Sequence, residues 1–104
     1  MALPVFEALA DPTRRSLLDR LRKGGSLSLT ALAEGQPMTR QAVSKHLDAL
    51  HRAGLVSVKR SGRERLHRLR AEPLREVDDW LAPYAAAWDE RLARLKTHIE
   101  ETDS

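Results

Sequence analysis

The chain has 104 residues, of which 41% are hydrophobic and 32% charged, a balance that fits one folded domain rather than two or a disordered polymer. It contains no cysteine, which excludes disulfides, thiolate metal sites, iron–sulfur clusters and cysteine nucleophiles. The formal net charge is +3, and no apolar run approaches the ~18 residues of a membrane span. With neither a basic start nor an apolar stretch behind it, the N-terminal sequence lacks a secretory pattern, so a soluble, cytoplasmic protein is expected.

In chain order, Pro4 to Ala10 reads as a short helix with Val5, Phe6 and Leu9 on one side. Asp11-Pro12 is a helix start, since Asp accepts from orphan amides and Pro at the first position loses no hydrogen bond. The helix from Pro12 to Lys23 sets Leu17, Leu18 and Leu21 on one stripe, and Gly24-Gly25 ends it. Ser26 to Leu29 is too short to classify; an extended bridge suits it. Ser28 then caps a short helix, Leu29 to Glu34, which Gly35-Gln36-Pro37-Met38 breaks. Thr39 caps a longer helix, Arg40 to Ala53, with Ala42, Val43, Leu47 and Leu50 on one face. Beyond Gly54, the alternation of Leu55 to Arg60 and of Arg65 to Leu69 about a Ser61–Glu64 turn predicts a two-stranded hairpin. Pro73 opens a last helical stretch to about Glu101, with a kink or break expected near Pro83.

The charge is unevenly placed. Residues 40–70 carry nine basic and two acidic side chains, net +7, whereas residues 71–104 carry four basic and nine acidic, net −5. The basic segment coincides with a helix-turn-helix over 28–54 and a wing over 55–70, inside a single domain spanning 1–104. The predicted fold is mainly α with a small β-hairpin, a winged helix-turn-helix whose N- and C-terminal helices form a dimer interface.

In such a fold the second helix offers its N-terminal residues and polar face to base edges in the major groove. The outward positions are apt for this. Gln41 can pair bidentately with adenine, Arg40 or Lys45 can reach guanine or phosphate, and Ser44 is a donor and acceptor. Thr39 stands where the helix N-terminus would meet a phosphate. At the wing, Arg60, Arg63 and Arg65 can neutralise phosphates or enter the minor groove. A solvated helix face and protection of strand edges against aggregation are the ordinary uses of such charges. The order and spacing of the set favour double-stranded DNA as partner, and a winged-helix module binding an acidic protein is the alternative.

Asp11-Pro12-Thr13-Arg14-Arg15, Leu32-Ala33-Glu34, Val43-Ser44-Lys45-His46-Leu47-Asp48-Ala49-Leu50, Ala53-Gly54-Leu55-Val56 and Gly62-Arg63 together resemble the ArsR-type winged-helix repressors. The resemblance spans residues 5–101 and implies a homodimer that represses transcription from a palindromic operator. Many members sense metals. Here the brace-helix segment Leu29-Thr30-Ala31-Leu32-Ala33 lacks the family's Cys-x-Cys. His98-Ile99-Glu100-Glu101 matches one half of another sensor pattern, but Ala85 and Ala87 stand where its other ligands belong. No metal or other cofactor is therefore expected, a metal-responsive repressor with non-cysteine ligands is the lesser alternative, and any inducer is unknown. His67 replaces an aromatic common at this wing position and is expected to pack.

Catalysis is not expected. Ser44, His46 and Asp48 have triad chemistry, but steps of two on a helix turn them about 200° apart. On the last helix Val77, Leu81, Tyr84, Trp88 and Leu95 recur at helical spacing, with Leu92 and Ile99 adjoining. With Val5, Phe6 and Leu9 they form the expected dimer interface.

Overall fold

The computed structural model describes residues 3–102, so residues 1–2 and 103–104 of the expected domain lie outside the described residues. The elements run α1 (Leu3–Leu9), α2 (Pro12–Gly24), β1 (Ser26–Ser28), α3 (Leu29–Ala33), α4 (Arg40–Arg52), β2 (Val56–Ser61), β3 (Glu64–Leu69) and α5 (Leu74–Thr102). The undecided stretch after α2 is thus a strand. It pairs antiparallel with β3, giving a three-stranded sheet in the order β1-β3-β2 instead of a two-stranded hairpin. A three-residue strand shows no alternation of its own, and its partner lies some forty residues downstream.

Helix ends follow the side chains that cap them. Asp11 accepts from the amides of Thr13 at 2.7 Å and Arg14 at 3.2 Å, Ser28 from Ala31 at 3.2 Å, and Thr39 from Ala42 at 3.1 Å. Partial desolvation raises the Asp11 pKa, but the two amides, with the His46 and Arg14 charges, outweigh it and leave the carboxyl below its usual 3.8. The cap is therefore complete above that value and lost as the pH falls through the folded-state pKa. Asp11→Asn, which caps without titrating, should lose less stability on acidification below about pH 4 than the parent in an acid-unfolding series.

The cations of α2 are spent inside the molecule. Arg14 donates to the carbonyls of Ala8 at 2.7 Å and Glu7 at 2.9 Å, and Arg15 to that of Leu9 at 2.6 Å, closing the end of α1. Arg20 reaches the carbonyls of Leu32 at 2.6 Å, Ala31 at 2.7 Å and Glu34 at 3.3 Å, closing the end of α3. Arg22 and Lys23 pair with Asp19 at 2.7 and 3.1 Å.

Leu17, Leu21, Leu32, Val43, Leu47, Leu50, Leu55 and Val56 are almost fully buried and join α2, α3, α4 and the sheet around one core. Val5 and Ala8 complete it from α1. This corrects the reading of Val5: at 5% exposure it belongs to the core of its own protomer. Residues 5 and 8 share the inner side of a seven-residue helix, while Phe6, about 100° round, meets Trp80 edge-on at 5.7 Å.

Of the kink or break expected near Pro83, the break is corrected, because α5 runs through it without interruption. The fixed φ of Pro is itself helical, and the loss is one amide donor to the carbonyl of Asp79. Every residue from Asp78 to Glu101 is exposed, so water can serve the freed carbonyl. A helix of 29 residues is about 43 Å long, and it helps extend the molecule to 65 Å.

Candidate nucleic-acid interface

Buried Val43, Leu47 and Leu50 fix which way α4 faces. Thr39, Arg40, Gln41, Lys45 and Asp48 are left exposed, and Ser44 is half-buried beside the wing. Arg40 also donates to Thr30 Oγ1 at 3.0 Å, which spans the turn between α3 and α4.

The wing turns at Gly62, whose φ of 62° is the positive value required at the first central position of a two-residue type II′ turn. Its register is Val56 opposite Leu69, Val58 opposite His67 and Arg60 opposite Arg65. Directly paired residues share a face, and these three pairs alternate onto the same one. That face therefore passes from apolar at its base to doubly cationic near the tip. Like charges directly opposite each other are destabilising unless an anion joins them.

Between α4 and the wing lies an open cleft of about 400 Å³. Arg40, Ser44, Asp48 and His51 line one side, Arg63, Arg65 and His67 the other, with Thr30 at one end. The structure thus gathers Arg40, Ser44, Arg63 and Arg65 around one space. Thr39, Gln41, Lys45 and Arg60 do not line it.

The cations of this region differ from those of α2. Among the described residues, Gln41, Lys45, Arg60, Arg63 and Arg65 make no side-chain hydrogen bond or ion pair within the protein. His67 is buried, at 7% exposure, as its position in the sequence suggested. Its Nδ1 has no hydrogen-bond partner among the described residues. Desolvation holds its pKa below the usual 6.5; the Leu27 backbone and the Asp48 charge oppose this, and the Arg65 and His51 charges add to it. Sequence reasoning missed the shared cleft of Asp48, His51 and His67, because its two walls come from elements that only the fold brings together.

Of the expected interface residues, Phe6, Leu81, Tyr84, Trp88 and Leu95 are exposed, and Leu9 and Val77 are half-buried against the core. Leu92 and Ile99 are also exposed, at 63% and 52%. No group of three or more His, Asp or Glu among the described residues is placed to hold a metal ion, and no described helix is long and apolar enough to cross a membrane.

A brace helix, a turn, a capped second helix and a basic hairpin define a winged helix-turn-helix of the DNA-binding class. The helix-turn-helix domain family matches residues 9–59. The transcriptional repressor SdpR of Bacillus subtilis is 33% identical over 88 residues, covering 85% of this chain and 97% of that protein. A solved ArsR-like transcriptional regulator from Rhodococcus sp. RHA1 is 39% identical with a TM-score of 0.72, covering 94% of this chain and 89% of that one. The homodimeric winged helix-turn-helix DNA-binding domain Mb0332 from Mycobacterium bovis is 31% identical with a TM-score of 0.61, covering 86% and 79%. The chain belongs to the ArsR family of winged helix-turn-helix transcriptional regulators.

Proposed function

We propose that the chain is a homodimeric repressor acting in the cytoplasm on an inverted-repeat operator. Arg40, Gln41, Ser44 and Lys45 of α4 enter the major groove, and Thr39 lies at the phosphate beside the helix N-terminus. Arg60, Arg63 and Arg65 lie on the backbone or in the minor groove. The observation that carries this reading is the division of the cations. Those of α2 cap carbonyls or pair with Asp19, whereas Lys45 on α4 and Arg60, Arg63 and Arg65 on the wing are exposed and have no bonding partner among the described residues. Charges that serve no internal purpose, arranged on the two elements that flank a DNA strand, fit a polyanion.

The apolar stripe of α5 and the homodimeric relative support two copies. A dimer would set two recognition helices about 34 Å apart, one turn of DNA. The acidic C-terminal third would then lie away from phosphate. No catalytic role and no cofactor are assigned.

A salt titration of operator binding tests the residue roles. Arg63→Ala should flatten the slope of log K against log salt by about 0.9 and weaken all sequences alike. Gln41→Ala should keep the slope and lose about 1–3 kcal/mol of preference at one base pair. If neither variant differs from the parent, these roles are wrong.

A further inference from the structure

Two carboxylates in the α4–wing cleft, Asp48 and Glu64, oppose the proposed partner. Asp48 is exposed on the polar side of α4 and makes no salt bridge among the described residues. A bare carboxylate beside a phosphate is repulsive. The same cleft holds two imidazoles, His51 at its rim and His67 in its wall. His67 is more than nine-tenths buried, with an orphan Nδ1. Burying a polar nitrogen without a partner is costly, and uptake of a proton in another state is one way to offset that cost.

Resting on the operator reading above, we propose that this cleft seats a backbone phosphate of the operator and takes up a proton at His67 as it does so, making DNA affinity pH-dependent. The charges facing His67 set the direction. From α4 come Arg40, Asp48 and His51, and from the wing Arg63, Glu64 and Arg65. β1 and α3 bring the hydroxyls of Ser28 and Thr30 and the Leu27 backbone, and α2 adds no residue to the cleft.

In the free protein burial disfavours the His67 imidazolium, with the Arg65 and His51 charges adding to it against the Leu27 backbone and the Asp48 charge, and Asp48 makes no ion pair among the described residues. A phosphodiester in the cleft brings negative charge to the open side and offsets Arg63 and Arg65, which favours the imidazolium. The imidazolium in turn offsets Asp48 and removes its repulsion of the phosphate. Proton and DNA therefore bind more tightly together than apart, and the linkage is reciprocal. Because the free-state pKa lies below the ordinary 6.5 and the bound-state value is raised, affinity falls as the pH rises between the two and is flat outside them.

The test is fluorescence anisotropy of the full chain on a duplex enriched by it from a random pool, between about pH 5.5 and 8 at fixed ionic strength. Affinity of the parent should drop by up to about tenfold per pH unit within the window. His67→Gln should bind DNA with most of that slope gone, and His51→Gln should keep it. Asp48→Asn should bind more tightly at the alkaline end and flatten the profile. Nitrogen-15 spectra of the unaltered protein give a reading that no folding defect can confuse: the His67 ring should titrate at higher pH with DNA than without. An unchanged slope in His67→Gln, or identical titration in both states, overturns the proposal. DNA binding without pH dependence sinks this inference alone, whereas absence of DNA binding at every pH sinks the operator reading itself.

Discussion

Trp88→Asp combined with Leu92→Asp is expected to turn the protein into a folded monomer and to cut operator affinity by about 100-fold or more. Both side chains are open to solvent in the single protomer, at 68% and 63% exposure, so the substitution removes nothing from the core. In a dimer each apolar side chain that becomes covered contributes about 1.5–3 kcal/mol. An aspartate there would have to be desolvated without a partner, so the pair reverses the sign of the contact. Leu81, Tyr84, Trp88, Leu92, Leu95 and Ile99 follow one another at steps of three and four, the spacing of a helix–helix seam. Losing the seam unlinks two half-sites, and the second recognition helix forfeits an effective concentration in the millimolar range. Sedimentation equilibrium and anisotropy on the same sample measure the two effects. Val5→Asp is the contrasting variant. At 5% exposure it should unfold the domain instead of separating two intact copies. If the double aspartate variant sediments as the parent does, α5 is not the seam.

What could be read in the sequence was what local rules determine. Helices α2 and α4 carry their period, their caps and their ends within a dozen residues, and the wing carries its alternation and its Gly62 turn. The exposed polar face of α4 follows from the same period, because Val43, Leu47 and Leu50 leave the other side to solvent. Strand β1 could not be read this way, since it is a strand only through pairing with Leu66, His67 and Arg68. Val5 was misplaced because in a helix of seven residues two neighbouring faces are both apolar, and only packing chooses between them. At Pro83 the reading of a break left out the context: the residues around it are exposed, so water can serve the freed carbonyl, and the chain continues helical. The division of the cations was also hidden. Composition counts Arg20 and Arg63 alike, although one is bound to three carbonyls and the other to nothing among the described residues.

That division makes Arg20 the residue whose loss should be felt furthest from its own position. Helix α3 has only five residues, so most of its carbonyls have no partner along the helix. The Arg20 guanidinium supplies one from each of two nitrogens, Nη1 to Leu32 and Nη2 to Ala31, at 2.6 and 2.7 Å. A charged donor contributes about 1.5–3 kcal/mol per bond, and partial exposure lowers the sum, so Arg20→Met should cost about 3 kcal/mol in urea unfolding. Arg20→Lys should recover only part of this, because an ammonium is a point donor and cannot hold two carbonyls in a fixed fork. The effect passes to DNA through geometry. Helix α3 and its turn set where the N-terminus of α4 stands, and the Arg40–Thr30 bond spans that same turn. A loosened α3 therefore weakens operator binding while the number of phosphate contacts, and with it the salt slope, is unchanged. Arg63→Ala should do the reverse, lowering the slope while leaving stability untouched. An Arg20→Met protein of normal stability whose salt slope had dropped by about one unit would make Arg20 a phosphate ligand and not the clamp of α3.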